Sequence, residues 1–104
     1  MTAIANVEEF NETLKRDKVM VDFYATWCGP CQQIAPYYEE LQKNNPDIVF
    51  LKVNSDEFES LSEKYEVKAL PTFIIFKAGK EIGRISGAGK PRLDELLNTL
   101  KTAK

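Results

Sequence analysis

The stretch from residue 18 to residue 43 reads KVMVDFYATWCGPCQQIAPYYEELQK. Apart from Lys18 at the start and Asp22, its first eight residues are apolar on both alternating faces. This pattern is typical of a central strand covered on both sides. From about Cys28 the apolar residues recur at helical spacing. The residues of this apolar stripe are Ile34, Tyr38 and Leu41. The stretch therefore predicts a buried strand that leads into an amphipathic helix, with the sequence WCGPC at the junction.

The flanking sequence predicts further elements on both sides of this unit. Asn6 and Glu9 form a capping-box pattern that opens a first helix. The other predictions, in chain order, are a strand over Ile48–Val53, a helix over Glu57–Tyr65, a strand over Thr72–Lys77, a hairpin partner over Glu81–Ser86 and a last helix carrying Leu93, Leu96, Leu97 and Leu100. With a short first strand around Ala3–Ala5, the order predicts an α/β fold: a central mixed five-stranded sheet flanked on both faces by four helices.

Length and composition favour one globular domain over residues 1–104. The chain is 43% hydrophobic and 29% charged, which is too apolar for a disordered protein. A net charge of −2 provides no electrostatic footprint for nucleic acid or for an anionic membrane. No apolar run approaches the ~20 residues of a membrane-spanning helix. We therefore expect neither a nucleic-acid nor a membrane partner. We also expect a monomer, because no apolar stripe is left over that would require a partner chain.

The first nine residues, MTAIANVEE, contain neither a basic n-region nor an apolar h-region. We therefore expect no signal peptide, and the default location is cytoplasmic. A mature organellar protein whose targeting peptide had been removed would give the same pattern.

The pair Cys28 and Cys31 is the chain's one motif with obvious chemistry. Because the chain has no histidine, Cys–His catalysis and His-ligated metal sites are excluded, and two cysteines cannot supply a four-thiolate zinc site. Half of a metal site shared between chains and a structural disulfide are the alternatives. A structural disulfide would close a very short loop, stabilise little, and be unexpected in the cytosol. Redox chemistry is the interpretation that remains.

Helix geometry assigns different roles to the two thiols. If the helix begins at Cys28, the two sulfurs lie three residues apart and within bonding reach. The unpaired N–H groups and the positive end of the helix then favour the Cys28 thiolate and lower its pKa. Pro30 is tolerated in the first turn. Cys31 lies one turn inside and is expected to be more buried, so Cys28 attacks and Cys31 resolves.

Four segments together resemble the thioredoxin family. They are DFYATWCGPC (22–31), KVNSDE (52–57), ALPTFIIFKAGK (69–80) and SGAGK (86–90), and the likeness covers nearly the whole chain. The resemblance implies a thioredoxin fold and a general protein-disulfide reductase with no bound cofactor. Its redox centre would be a reversible Cys28–Cys31 disulfide that receives electrons from NADPH through thioredoxin reductase. Substrates implied in the same way are disulfide-containing proteins such as peroxiredoxins, methionine sulfoxide reductase and ribonucleotide reductase.

The resemblance also implies a substrate-docking surface around the cysteines. Pro71 would be a cis-proline facing the active site, and the backbone of Leu70 would be offered to a substrate strand. The residues implied for the shallow apolar surface are Trp27, Gly29, Pro30, Leu70, Pro71, Gly87 and Ala88.

Three polar residues are expected to support the cysteine pair. Asp22 would be buried behind the pair, accept the proton of Cys31, and have its charge offset by Lys52. Asp56 would accept a hydrogen bond from the indole N–H of Trp27. Without the resemblance, the sequence favours a strand-edge carboxylate that reaches solvent for Asp22. For Asp56, a solvated loop acid is then an equal alternative.

Residues around the motif favour reduction over oxidation. Strongly oxidising relatives have His at the position of Pro30, and without an imidazolium the reduced dithiol is less stabilised and is a better reductant. Gln32 stands where many relatives have a cation. Two other hypotheses remain: a docking subunit that uses the same surface without redox turnover, and an iron–sulfur or metal scaffold that bridges two chains through Cys28.

Overall fold

Residues 2–104, which the computed structural model describes, form five strands and four helices. In chain order these are β1 (Thr2–Ala3), α1 (Val7–Thr13), β2 (Lys18–Tyr24), α2 (Gly29–Asn44), β3 (Val49–Asn54), α3 (Glu59–Lys64), β4 (Thr72–Lys77), β5 (Lys80–Ser86) and α4 (Lys90–Thr102). The predicted elements and their order are confirmed, with most ends shifted by one or two residues. The first strand lies at Thr2–Ala3 rather than at Ala3–Ala5.

The five strands form one mixed sheet in the order β1-β3-β2-β4-β5. β2 runs parallel to β3 and antiparallel to β4, and β4 and β5 form the predicted hairpin. β2 is therefore the central strand, and its residues 19–23 are all buried. In the register of the sheet, Asp22 lies beside Lys52 on β3 and beside Phe73 on β4.

Two hydrophobic clusters cover the two faces of the sheet. Alternate residues of β2 point to opposite faces, so Met20 joins one cluster and Val21 the other. Helices α2 and α4 cover the face of Met20, where the Tyr38 hydroxyl donates to the backbone oxygen of Leu51 at 2.8 Å. Helices α1 and α3 cover the face of Val21. The chain therefore has the expected three layers.

The capping box of α1 is formed on one side only. The Asn6 Oδ1 atom accepts from the Glu9 backbone N–H at 2.8 Å, as predicted. The Glu9 carboxylate, however, accepts from the N–H of Ala5 at 3.3 Å rather than from that of Asn6. The helix start is still fixed at the predicted position.

Glu66, just after the end of α3, has a left-handed backbone conformation that is usually adopted by glycine. The Val67 N–H donates to the Ser62 carbonyl at 2.8 Å, and Glu66 between them has a φ of 53°. This is the left-handed residue of a helix-ending motif that prefers glycine. We expect Glu66→Gly to raise the free energy of unfolding by about 0.5–1 kcal/mol, measured by guanidinium denaturation.

Glu63, inside the same helix, supplies the matched control for this substitution. Glu63→Gly introduces glycine where the backbone is helical and is expected to lower stability by about 1 kcal/mol. Equal destabilisation by both substitutions would contradict the account of the α3 end.

Candidate active site

The cysteine pair lies at the start of α2, directly after the central strand. Cys28 is the N-cap residue and has extended backbone angles, and Cys31 lies in the first turn. The two residues form a disulfide with a Cα–Cα distance of 5.2 Å. The backbone N–H of Cys31 donates to the Cys28 sulfur at 3.2 Å. The helix therefore presents an N–H group to the sulfur that was predicted to carry negative charge.

Burial does not distinguish the two cysteines. Each has 4% of its surface exposed, so the expectation that Cys31 is the more buried of the two is wrong for the disulfide form. Both cysteines belong to one small buried cluster with Ala25, against which Tyr24 and Leu70 pack. What differs is position, because Cys28 lines a surface groove and Cys31 does not.

That groove has a volume of about 470 Å³ and runs between two segments of the chain. One wall is formed by residues 27–30 and the other by residues 67–70, with Ser55 and Ser62 also lining it. We call it the Cys28 groove. Its size lies within the range of small-ligand clefts.

Trp27 stands at the edge of the groove with 71% of its surface exposed. Its indole N–H donates to Oδ2 of Asp56 at 2.8 Å, so the hydrogen bond implied by the resemblance is present. Asp56 is itself held by the loop after β3, where its backbone N–H donates to the Asn54 side chain at 3.0 Å. The Gln32 amide donates to the Thr26 carbonyl at 3.1 Å and braces the turn before Cys28. This contact was not anticipated from the sequence.

The predicted docking residues do not all belong to the groove. Those that line it are Trp27, Gly29, Pro30 and Leu70. The Leu70–Pro71 peptide bond is cis, and Pro71 is buried. Its carbonyl accepts from the N–H of Gly87 at 2.8 Å, and Gly87 has a φ of 100°, which favours glycine. Gly87 is therefore held against the Leu70–Pro71 turn, and Ala88 packs on the hydrophobic cluster under α2 and α4.

Asp22 is buried behind the helix that carries the cysteines. Only 1% of its surface is exposed, and its Oδ1 has no hydrogen-bond partner among residues 2–104. Burial raises the pKa of Asp22 to about 7, against an opposing effect of the nearby Lys52 charge. The Lys52 ammonium lies 4.4 Å from the centre of the Tyr24 ring, a cation–π contact. The solvent-exposed alternative for Asp22 is therefore wrong.

Over residues 1–102 the chain matches the family model named Thioredoxin. The chain belongs to the thioredoxin family. It is 42% identical over 96 residues to Thioredoxin-2 of Pyricularia oryzae, covering 91% of this chain and 56% of that protein. It is 40% identical over 98 residues to Thioredoxin-1 of Saccharomyces cerevisiae, covering 93% and 95% of the two chains. A solved structure of Plasmodium falciparum thioredoxin has a TM-score of 0.92 at 36% identity, covering 99% of this chain and 100% of that one.

Membership of the thioredoxin family agrees with the chemistry of the site. Thioredoxins are disulfide oxidoreductases, and the paired Cys28 and Cys31 are the redox centre of this one. Within residues 2–104 the structure contains no cluster of three or more side chains suited to hold a metal ion. No helix in the same range is long and apolar enough to cross a membrane.

Five residues of the Cys28 groove were not predicted from the sequence. These are Ser55, Ser62, Val67, Lys68 and Ala69. Val67 and Lys68 directly precede the ALPTF segment, so their proximity to Leu70 was available as a signal. Ser55 and Ser62 gave none, since only the packing of α3 beside the β3 loop brings these two residues to the groove.

Proposed function

We propose that this chain is a general protein-disulfide reductase whose dithiol is regenerated by NADPH through thioredoxin reductase. The observation that carries the proposal is the Cys28–Cys31 disulfide at the N-terminus of α2, with Cys28 at the wall of an open groove. The helix end stabilises negative charge on the Cys28 sulfur. Electron transfer with proteins needs such a sulfur at the surface, and the groove supplies access to it.

The proposed reaction is a two-step exchange of disulfide bonds. The Cys28 thiolate attacks one sulfur of the substrate disulfide, and the other substrate sulfur leaves as a thiolate. The Cys31 sulfur then attacks Cys28 in the mixed disulfide, which releases the second substrate thiol and forms the Cys28–Cys31 bond. Two electrons pass to the substrate.

Asp22 is the proposed acceptor of the Cys31 proton during this second step. Its buried carboxyl has a pKa of about 7, which suits proton transfer near neutral pH. Lys52 is proposed to stabilise the ionised form of Asp22. It lies beside Asp22 in the sheet register, and its charge lowers the pKa of Asp22.

The surface around Cys28 is the proposed docking site for substrates and for the reductase. Trp27 and Pro30 offer apolar area on one wall and Leu70 on the other, as recognition of many different proteins requires. Gly87 and Ala88 are proposed to extend the surface beyond Pro71. Peroxiredoxins, methionine sulfoxide reductase and ribonucleotide reductase are the proposed substrates, and the proposed location is the cytoplasm, where the dithiol is kept reduced.

Reduction of insulin disulfides tests the proposal directly. With NADPH and a thioredoxin reductase, the chain is expected to catalyse NADPH oxidation that depends on insulin, followed at 340 nm. Dithiothreitol in place of NADPH and the reductase distinguishes a mismatched reductase from an inactive chain. Absence of insulin reduction with both electron sources would overturn the proposal.

A further inference from the structure

Thr72, the first residue of β4, connects two segments near the cysteine pair through its hydroxyl group. The hydroxyl donates to the Ala69 carbonyl at 2.6 Å, and its oxygen lies 3.0 Å from the Ser86 hydroxyl oxygen. Thr72 and Ser86 are cross-strand neighbours in the register of β4 and β5. Only 1% of the surface of Thr72 is exposed. Thr72 therefore lies too deep to contact a docked protein, and it acts on docking only through its two partners.

The direction of both bonds follows from the single proton of a threonine hydroxyl. Because the Thr72 proton is donated to Ala69, the Ser86 hydroxyl is the donor in the second bond. The two bonds form a chain that runs from Ser86 through Thr72 to the Ala69 carbonyl. Loss of the Thr72 hydroxyl breaks both bonds, whereas loss of the Ser86 hydroxyl breaks only the first.

One end of this chain of bonds lies in a wall of the Cys28 groove. The Thr72–Ala69 bond spans the same four residues as the backbone hydrogen bond of a β-turn, so it closes the turn 69–72. Leu70, inside this turn, lines the groove and packs against the buried cluster that contains both cysteines. The bond therefore fixes where Leu70 lies relative to the cysteine pair.

The other end lies in the segment that follows β5. Ser86 directly precedes Gly87, whose N–H donates to the Pro71 carbonyl at 2.8 Å. Arg92 holds Ser86 from α4, because its guanidinium donates to the Ser86 carbonyl at 3.0 Å. The segment after β5 is thus tied to the turn 69–72 by one backbone bond and by the Ser86–Thr72 hydroxyl pair. A docked protein meets the two segments as one surface.

We propose that Thr72 is a positioning residue for protein substrates, which holds the Leu70 wall of the groove and the Gly87 segment in one arrangement. The proposal rests on the reductase function, since a protein held at Cys28 is what covers both segments. Thr72 takes no part in the exchange of bonds. A docking surface that is already ordered loses less conformational entropy on binding, so loosening it weakens docking. A small disulfide that reaches Cys28 without covering these segments does not depend on Thr72.

The test compares a protein substrate with a small one. Reduced protein is mixed with insulin or with bis(2-hydroxyethyl) disulfide, and each second-order rate is followed by the fluorescence of Trp27, the only tryptophan of the chain. Thr72→Val replaces the hydroxyl by a methyl group of similar size and removes both bonds. It is expected to slow the insulin reaction about fivefold and to change the rate with the small disulfide less than about twofold.

Further variants assign the effect to the hydroxyl chain. Thr72→Ser restores the hydroxyl and is expected to restore the insulin rate to within about twofold of the wild type. Ser86→Ala removes one bond and is expected to slow the insulin reaction about twofold. Combined with Thr72→Val it is expected to add nothing, because its acceptor is already missing. The control is Thr99→Val, which removes a threonine-to-carbonyl bond on the exposed surface of α4 and is expected to keep both rates.

The outcomes separate the positioning role from the reductase function. An unchanged insulin rate in Thr72→Val would overturn the positioning role and leave the reductase function intact. Equal slowing with both disulfides, or no rescue by Thr72→Ser, would mean that the substitution disturbs the cysteine pair itself and would also overturn the role. If Thr72→Val does not fold, Ser86→Ala carries the same test, and a wild-type insulin rate in it would overturn the role. Failure of the wild type to reduce either disulfide would overturn both proposals.

Discussion

Cys28→Ser is expected to lower the rate of insulin reduction at least about a thousandfold, because the first bond of the exchange can no longer form. Cys31→Ser is also expected to end turnover, but after one step. The Cys28 thiolate still attacks the substrate, and without the resolving thiol the mixed disulfide accumulates. Mass spectrometry of the Cys31→Ser protein with an oxidised peptide measures the adduct and locates it at Cys28.

This pair of variants tests which cysteine attacks and which resolves, because burial does not distinguish them. Because both cysteines are 4% exposed in the disulfide form, the assignment of roles rests on the N-cap position of Cys28 and on its contact with the groove. An adduct that forms in Cys28→Ser but not in Cys31→Ser would reverse the roles. Full retention of binding to partner proteins in both variants, without insulin reduction by the wild type, would favour the redox-independent docking subunit. That subunit needs neither thiol, and no present observation supports it.

The order of the elements was predictable because each carries its own local signal. The apolar run before Cys28 predicts a central strand, and β2 lies between β3 and β4. The leucine spacing predicts α4, whose four leucines are all buried. The ends of elements were less predictable. The helix expected to begin at Glu57 begins at Glu59, because the Asp56 loop and the Phe58 N–H are bonded back to Asn54.

The groove, in contrast, depends on contacts between segments that are distant in the chain. Ser55 and Ser62 look in the sequence like ordinary surface serines. They become groove residues because the Ser55 N–H is bonded to the Tyr24 carbonyl at 2.8 Å and α3 packs beside that loop. Equally, the sequence left two interpretations of Asp22 open. Only the sheet register and the helices above it show that this carboxylate is buried.

Asp22→Asn is expected to stabilise the disulfide form at pH 8 and to lose this advantage as the pH falls towards 4. The pKa of the Asp22 carboxyl is about 7 in the folded chain, against 3.8 for an ordinary aspartate. Between these values the folded state holds a proton that the unfolded state has released, so wild-type stability falls as the pH rises. A difference of about three pKa units corresponds to about 4 kcal/mol. Guanidinium denaturation of both proteins from pH 4 to pH 8 measures it.

Asp47→Asn, at an exposed position, is the control for this titration and is expected to track the wild type at every pH. A constant difference between Asp22→Asn and the wild type from pH 4 to pH 8 would contradict a raised pKa.

The same variant distinguishes the effect of Asp22 on folding stability from its role in the exchange reaction. If Asp22 accepts the Cys31 proton, Asn at this position slows resolution of the mixed disulfide at least about tenfold while the attack by Cys28 keeps its rate. A more stable variant with slower resolution would mean that the chain retains a destabilising buried carboxyl because the second step of the exchange requires it.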